Sequence, residues 1–296
     1  MSSMDLEHLS LIKDVISRRS ISRGASDHGV TQSAASQAVQ EAERALGVRL
    51  LDRSRRPLQA TAAGRLVHDF AVDVLDRQRR LLAELDDLRD EPAGVVRVAS
   101  IYSVGLSEMS RLETEFLRRL PQGRLEVDYR RPEMVYSAVL EGKADLGLVS
   151  YPESGRGLTV VAWRHEPLVV AAAPSHRLAR LSRIRLASLD QEEFIGFDAD
   201  LPISRHIARL LREAGVRVRF RMRFDNIPAV KEALQLGGAV AILPAPMLRA
   251  ETADGRLRAI RLVPTPRRPL GIVHPKRPVT KAVRVFLDVL AKPSRA

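Results

Sequence analysis

Residues 19–64 constrain this chain more than any other stretch, because they place cap and turn residues for two short helices at fixed spacing and follow them with a basic hairpin. Ser20 can cap a helix through Ile21, Ser22, Arg23, Gly24 and Ala25; Gly29 supplies the break; Thr31 can cap a longer helix to about Leu46. On that second helix Ala35, Val39, Ala42 and Leu46 recur in steps of four and three, which predicts one buried face. Ser33, Gln37, Gln40 and Arg44 fall opposite. A helix that buries small apolar residues and turns Ser and Gln outward suits the major groove of duplex DNA, where Gln can bridge adenine N6 and N7 and hydroxyls can pair with either strand. An earlier helix over roughly residues 5–18 places Leu6, Leu9, Ile12 and Ile16 on one side, enough to roof the pair.

After the hairpin, Thr61 can cap a long helix to about residue 90. Val67, Ala71, Val74, Gln78, Leu81, Leu85 and Leu88 step along it by alternating fours and threes, the pattern of a coiled-coil seam in which the polar Gln78 can fix register. The alternative is a helix that packs only on its own body. Pairing is expected, because a lone reader makes few contacts whereas paired readers recognise two half-sites. Glu91-Pro92-Ala93-Gly94 has turn composition and marks a linker. Beyond it strands are predicted at 95–100, 124–129 and 144–149, with helices at 107–120 and 132–140 between them. A second set follows: strands at 168–173, 193–197, 218–224 and 239–243 and helices at 202–213 and 227–235. The alternation predicts α/β lobes with parallel strands and right-handed crossovers, joined by segments near 161–164 and 264–268, with a last helix at 280–290 returning to the first set.

Four runs, Ser20-Ile21-Ser22-Arg23-Gly24-Ala25, Val30-Thr31-Gln32-Ser33-Ala34-Ala35-Ser36, Leu46-Gly47-Val48-Arg49-Leu50-Leu51-Asp52-Arg53 and Thr61-Ala62-Ala63-Gly64, stand without a gap at the spacing of LysR-type transcriptional regulators. The chain resembles that family in length and layout as well. The resemblance implies a winged helix-turn-helix over residues 1–60, a dimerising linker helix over 61–90 and an effector-binding body over 91–296. It divides that body into two Rossmann-like lobes, 95–162 with 267–292 and 163–266, resembling periplasmic binding proteins. It further implies a cytoplasmic, non-enzymatic homodimer or homotetramer that binds double-stranded DNA and responds to a small molecule between the lobes. Base readout would come from Gln32, Ser33, Ser36 and Gln37, with Gln40 also on the DNA-binding side and Ser22, Arg53 and Arg55 on phosphates. This sequence departs from the family's usual forms at Ile21 (an aromatic), Gly24 (Ala), His28 (Leu), Leu51 (Phe) and Gln37 (a basic residue). Gly24 and His28 thus put a weak helix former and a polar ring into a small core.

Open α/β sheets bind ligands at the carboxyl ends of their strands, where helix N-termini offer unpaired N–H groups. Three such ends stand out: Ser100-Ile101-Tyr102-Ser103, Val149-Ser150-Tyr151, and Asp225-Asn226. In the resembled family, positions matching Ser100, Tyr102 and Ser103 commonly contact the effector. Phe197-Asp198-Ala199-Asp200-Leu201-Pro202 is expected to form the facing loop. The alternative for Ser103 and Asp225 is ordinary helix capping. Hydroxyls at helix N-termini predict a small anion, which Asp198 and Asp200 would oppose if they point inward.

The formal net charge of +12 does not by itself carry the DNA reading, since residues 1–90 contain 14 basic and 14 acidic residues. Up to Arg65 the balance is 10 against 7, with Arg53, Arg55 and Arg56 clustered in the hairpin, where Arg can reach phosphate or a narrow minor groove. The chain has no cysteine, which excludes disulfides, thiolate zinc sites and thiol-based peroxide sensing. No export signal is expected from the polar first ten residues, and no apolar run approaches the ~18 residues of a membrane helix. His8, His28, His68, His165, His176, His206 and His274 form no pair at metal-ligand spacing, so neither a metal nor another cofactor is expected. The competing reading is a solute-binding protein or enzyme built on the α/β body, with the N-terminal segment serving only to oligomerise.

Overall fold

Asp5 caps the first helix, α1 (Leu6–Arg18), its carboxylate accepting from the His8 N–H at 2.8 Å. The computed structural model describes residues 5–54, 56–87, 94–155, 157–276 and 279–291, and the chain separates into two units, 1–89 and 90–296.

In the first unit Ser20 caps α2 (Ile21–Asp27) and Thr31 caps α3 (Gln32–Leu46), each hydroxyl accepting from an N–H three residues on. Gly29, at φ +63°, turns the chain between them. Helix α3 buries Ala35, Val39 and Ala42 as the spacing predicts, but Leu46 is exposed, because Leu50 and Leu51 already fill that end of the core. The buried arc of α1 is also rotated from the predicted one: Leu9, Leu11, Ile12 and Val15 are covered, while Leu6 is exposed and Ile16 half-buried. This helix packs on both α2 and α4 (Ala62–Asp87), so a single stripe cannot describe its covered side. A Cβ at Gly24 would stand 2.5 Å from Val15 Cγ2 and 2.8 Å from Val15 Cα, so glycine is what lets α2 approach the α1 backbone. The His28 ring is matched by Asp14, Nε2 to Oδ2 at 2.9 Å. The wing is the antiparallel pair β1 (Leu51–Asp52) and β2 (Gln59–Ala60), held to α3 by Glu43 Oε1, which accepts from the Leu50 and Leu51 N–H groups at 2.8 and 3.1 Å. Thr61 caps α4, accepting from the Gly64 N–H at 3.0 Å.

The second unit opens with β3 (Gly94–Ile101), α5 (Tyr102–Arg119), β4 (Gly123–Arg130), α6 (Pro132–Leu140) and β5 (Leu146–Ser150). Strand β3 pairs in parallel with both β4 and β5, as the alternation predicts. Helix α5 begins five residues earlier than expected, directly from the strand, with no side-chain cap to announce its start. Next come β6 (Leu158–Ala172), β7 (Arg183–Ile184), β8 (Glu193–Phe197), α7 (Pro202–Glu213), β9 (Arg219–Phe224), α8 (Ile227–Gln235), β10 (Val240–Pro244), α9 (Arg249–Ala253), β11 (Arg258–Leu262), β12 (Arg267–Pro275) and α10 (Lys281–Ala291).

The sheet runs β4-β3-β5-β12-β6-β10-β8-β9, with β11 and β7 off that path. Two apolar cores flank it. One gathers Val96, Leu112, Phe116, Leu148 and the α10 residues Phe286 and Val289, as expected for a returning last helix; the other gathers Leu168, Phe194, Ile207, Val230 and Ile242. The lobes are joined within the sheet. Strand β6 pairs antiparallel with β12 from Leu158 to Pro167 and with β10 from Leu168 to Ala172, so the change of partner falls a few residues beyond the predicted 161–164. Central strands β5 and β10 are buried along their whole length, the pattern of strands covered on both faces. Among the described residues, no helix is long and apolar enough to cross a membrane.

Candidate functional site

Within the second unit, four helices begin at one cleft. Tyr102 and Ser103 of α5, Pro132 of α6, Pro202 and Ile203 of α7, and Ile227 of α8 all line it, each following the carboxyl end of a strand. Helices α5, α6 and α7 have no side-chain cap; α8 is capped by Asn226, whose Oδ1 accepts from the Ala229 N–H at 2.9 Å. First-turn N–H groups left uncapped, with the positive ends of four helix dipoles, bias such a cleft toward negative charge. Its free space, counted together with the solvent at its open mouth, is about 500 Å³.

The floor carries a second source of positive charge. Arg268 is 1% exposed; its Nη1 donates to Ser103 Oγ at 2.9 Å and its Nη2 to Glu166 Oε2 at 2.5 Å, while Nε has no hydrogen-bond partner among the described residues. From Glu166 the chain of charges continues to Arg164 (3.2 Å), then Glu108 (3.0 Å), then Arg111 (3.1 Å). Three guanidiniums therefore face two carboxylates, which leaves one positive charge in excess along the chain. Burial pushes the Glu108 carboxyl up, but its hydrogen bonds and charge contacts with Arg164 and Arg111 outweigh this and hold it below the usual carboxylate range.

At the mouth, Arg131 at the start of α6 reaches from one lobe to the other. Its Nη2 lies 2.5 Å from Asp200 Oδ2 and its Nη1 3.9 Å from Asp225 Oδ2, while Nε donates to Glu133 Oε1 at 3.0 Å. The Glu133 hydrogen bond, helped by the charges of Asp200 and Asp225, raises the Arg131 pKa further. Neighbouring Arg130 is held by Asp128.

Of the residues singled out in the sequence, Tyr102, Ser103, Ser150 and Asn226 line the cleft. Ser100 does not: it is buried beneath, its hydroxyl donating to the Ile101 carbonyl at 3.1 Å. Asp198 and Asp200 also fall outside the lining, although Asp200 pairs with Arg131 at the mouth. Sequence reasoning missed Arg131 and Arg268. The first was hidden by its Arg-Arg-Pro context, the second by lying at the end of an assumed connecting segment; in both cases only the fold brings them to the strand ends.

In the first unit, Gln32, Ser33, Gln37 and Gln40 are exposed along α3 and Ser36 is half-buried, on the side away from Ala35, Val39 and Ala42. Ser22 Oγ donates to Gln32 Oε1 at 2.9 Å, which leaves the Gln32 amide hydrogens outward. Arg53 lies 3.5 Å from Glu43 Oε2 and keeps part of its side chain exposed; Arg55 lies outside the described residues. Along α4, Val67 is half-buried against the helix-turn-helix core and Ala71 is fully buried, so these two are occupied within the unit. Val74 is half-buried, Gln78, Leu81 and Leu85 are exposed, and Leu88 lies outside the described residues. Leu66, Phe70 and Leu82 are exposed as well, which moves the free apolar stripe about one position from the expected seam.

A helix-turn-helix with a wing, followed by a two-lobed α/β body with a cleft at its strand ends, is the layout of a ligand-responsive DNA-binding regulator. Comparison with known proteins agrees. Residues 6–65 match the bacterial regulatory helix-turn-helix protein of the lysR family and residues 89–293 the LysR substrate binding domain. The "Probable RuBisCO transcriptional regulator" of Cyanophora paradoxa is 27% identical over 291 residues, covering 96% of this chain and 90% of that one. A full-length OxyR variant from Pseudomonas aeruginosa has the same fold, with TM-score 0.75 at 18% identity over 98% of this chain and 95% of that one. The regulatory domain of Synechocystis CcmR in complex with 2-PG matches at TM-score 0.61 and 25% identity, covering 67% of this chain and 96% of that one. The chain belongs to the LysR family: it is a DNA-binding transcriptional regulator with an effector-binding domain.

Proposed function

We propose that the protein reads duplex DNA through the exposed side of α3 and alters that reading when a small anion occupies the cleft. The observation that carries the effector half is the meeting of four helix N-termini over the buried, incompletely paired Arg268 guanidinium. The complex of the CcmR regulatory domain with 2-PG supports small-ligand binding by a body of this kind. Ser103, Ser150, Tyr102 and Asn226 would orient the anion. The domains follow the spans 1–60, 61–90 and 91–296, and duplex DNA as partner implies a cytoplasmic protein.

For DNA, Gln32, Ser33, Ser36, Gln37 and Gln40 carry base readout, Ser22 holds Gln32 in place, and Arg53 and Arg55 reach phosphates. A second copy of the chain pairs along the exposed α4 stripe, so two readers meet two half-sites. Two measurements test the reading. Calorimetric titration of the full chain with acetate, phosphate and their neutral analogues should give saturable binding for the anions alone; equal binding of neutral analogues refutes the anion assignment. Gln32→Ala should weaken specific DNA binding by roughly 1–3 kcal/mol while sparing random duplex, and equal losses on both would contradict base readout.

A further inference from the structure

The cleft holds two guanidiniums whose situations differ. Arg268 is sealed at the floor with its Nε unpartnered, and Arg131 stands at the mouth in the grip of the protein's own carboxylates on the opposite lobe. Building on the reading of the cleft as an anion site, we propose that Arg131 is its specificity determinant: it selects effectors bearing two acidic groups. The inner acid rests on Arg268, Ser103 and the start of α5, and the outer acid takes Arg131 from Asp200 and Asp225.

The exchange is favourable because its two sides are unequally solvated. Asp200 and Asp225 have side chains 68% and 47% exposed, so releasing them returns carboxylates to water at little cost, and an ion pair this open is worth little to begin with. A ligand acid in the same place lies within the cleft, at the first turns of α6 and α7, which no side chain caps. Arg130 also lines the cleft, but it pairs with Asp128 on its own strand, so exchanging that pair would not touch the contact between the lobes. A singly charged ligand fills the floor and leaves Arg131 clamped across the lobes, whereas a doubly charged one replaces that clamp by a bridge through itself. Discrimination between one and two acids therefore resides in Arg131 rather than in Arg268, which both ligands use.

The test is a titration of the full chain with succinate, monomethyl succinate and 4-aminobutyrate, which keep one acid and vary the outer group, repeated with malonate and glutarate to vary reach. At least one dicarboxylate should bind about tenfold or more tighter than the monoester. Arg131→Gln should bring the dicarboxylate down to the level of the monoester and leave the monoester unchanged. Asp200→Asn should strengthen the dicarboxylate several-fold and leave the monoester alone, a gain that damage to the fold would not produce. Equal binding of dicarboxylates and monoester, or a loss in Arg131→Gln shared by both, overturns this proposal while leaving the anion assignment standing. Tighter binding of 4-aminobutyrate would do the same, by showing that Asp200 and Asp225 recognise a cation. No binding of any of these acids, inorganic phosphate included, overturns both readings.

Discussion

Removing either member of the Glu166–Arg268 pair should cost more than removing both. The two side chains meet at 2.5 Å and are 3% and 1% exposed, so each lone charge would remain buried. Glu166→Leu leaves the Arg268 guanidinium with Ser103 as its remaining neighbour, and a loss of about 3–5 kcal/mol is expected for an uncompensated buried charge. Arg268→Met is milder, about 2–3 kcal/mol, because Arg164 still meets Glu166 at 3.2 Å. The double variant removes both charges, fills the space with apolar atoms and leaves Arg164 to Glu108 at 3.0 Å, so it should fall within about 1 kcal/mol of the parent. Trp163 is the chain's one tryptophan and sits in β6, so its fluorescence during urea unfolding reports the second unit separately from the first. Single losses below about 1 kcal/mol, or a double variant equal to their sum, would refute the claim that this floor is a coupled buried pair.

Gly24→Ala, although it restores the better helix former, should destabilise the helix-turn-helix by about 1–2 kcal/mol net, because the new methyl would overlap Val15 backbone as well as side chain. Faster hydrogen exchange in α1 and α2 would register it, and slower exchange would show the overlap is relieved at no cost. Replacing both Leu81 and Leu85 by Ser should shift sedimentation toward the single chain without lowering its melting temperature, since both residues are already exposed there; unchanged association would remove α4 as the pairing surface. Glu108 titrates below its ordinary 4.5 in the folded chain, so the unfolded chain takes up its proton first as pH falls. Its contribution is therefore present above about pH 4.5 and fades below it. The stability gap between the parent and Glu108→Gln should narrow over that range, and a gap that widens on acidification would reverse the sign argued here.

The caps and the small-residue spacing of the first unit were legible because local chemistry sets them: Ser20, Thr31 and Thr61 each cap where their side chains suggest. Burial on three sides was not legible from one stripe, which is why the covered arc of α1 and the free stripe of α4 are both displaced from the periodic reading. Pro167 concealed the length of β6, since proline inside a strand argues against a central position; it falls where the strand changes partners. The cleft itself could be placed from strand ends and helix starts. Arg131 and Arg268 could not, because their roles depend on which side chains the sheet brings across from 69 and 102 positions away.

Strand β6 passes unbroken from one lobe into the other, and its ladder with β12 carries a bulge between Leu270 and Gly271. A continuous ladder of this kind resists sharp bending but tolerates a change in coil, so the lobes are geared to each other rather than swung on a joint. Rotation about such a gear moves atoms in proportion to their distance from it. A molecule seated only beside Arg268, on the axle, would sense almost nothing of the rotation, and leverage belongs to whatever grips the rim.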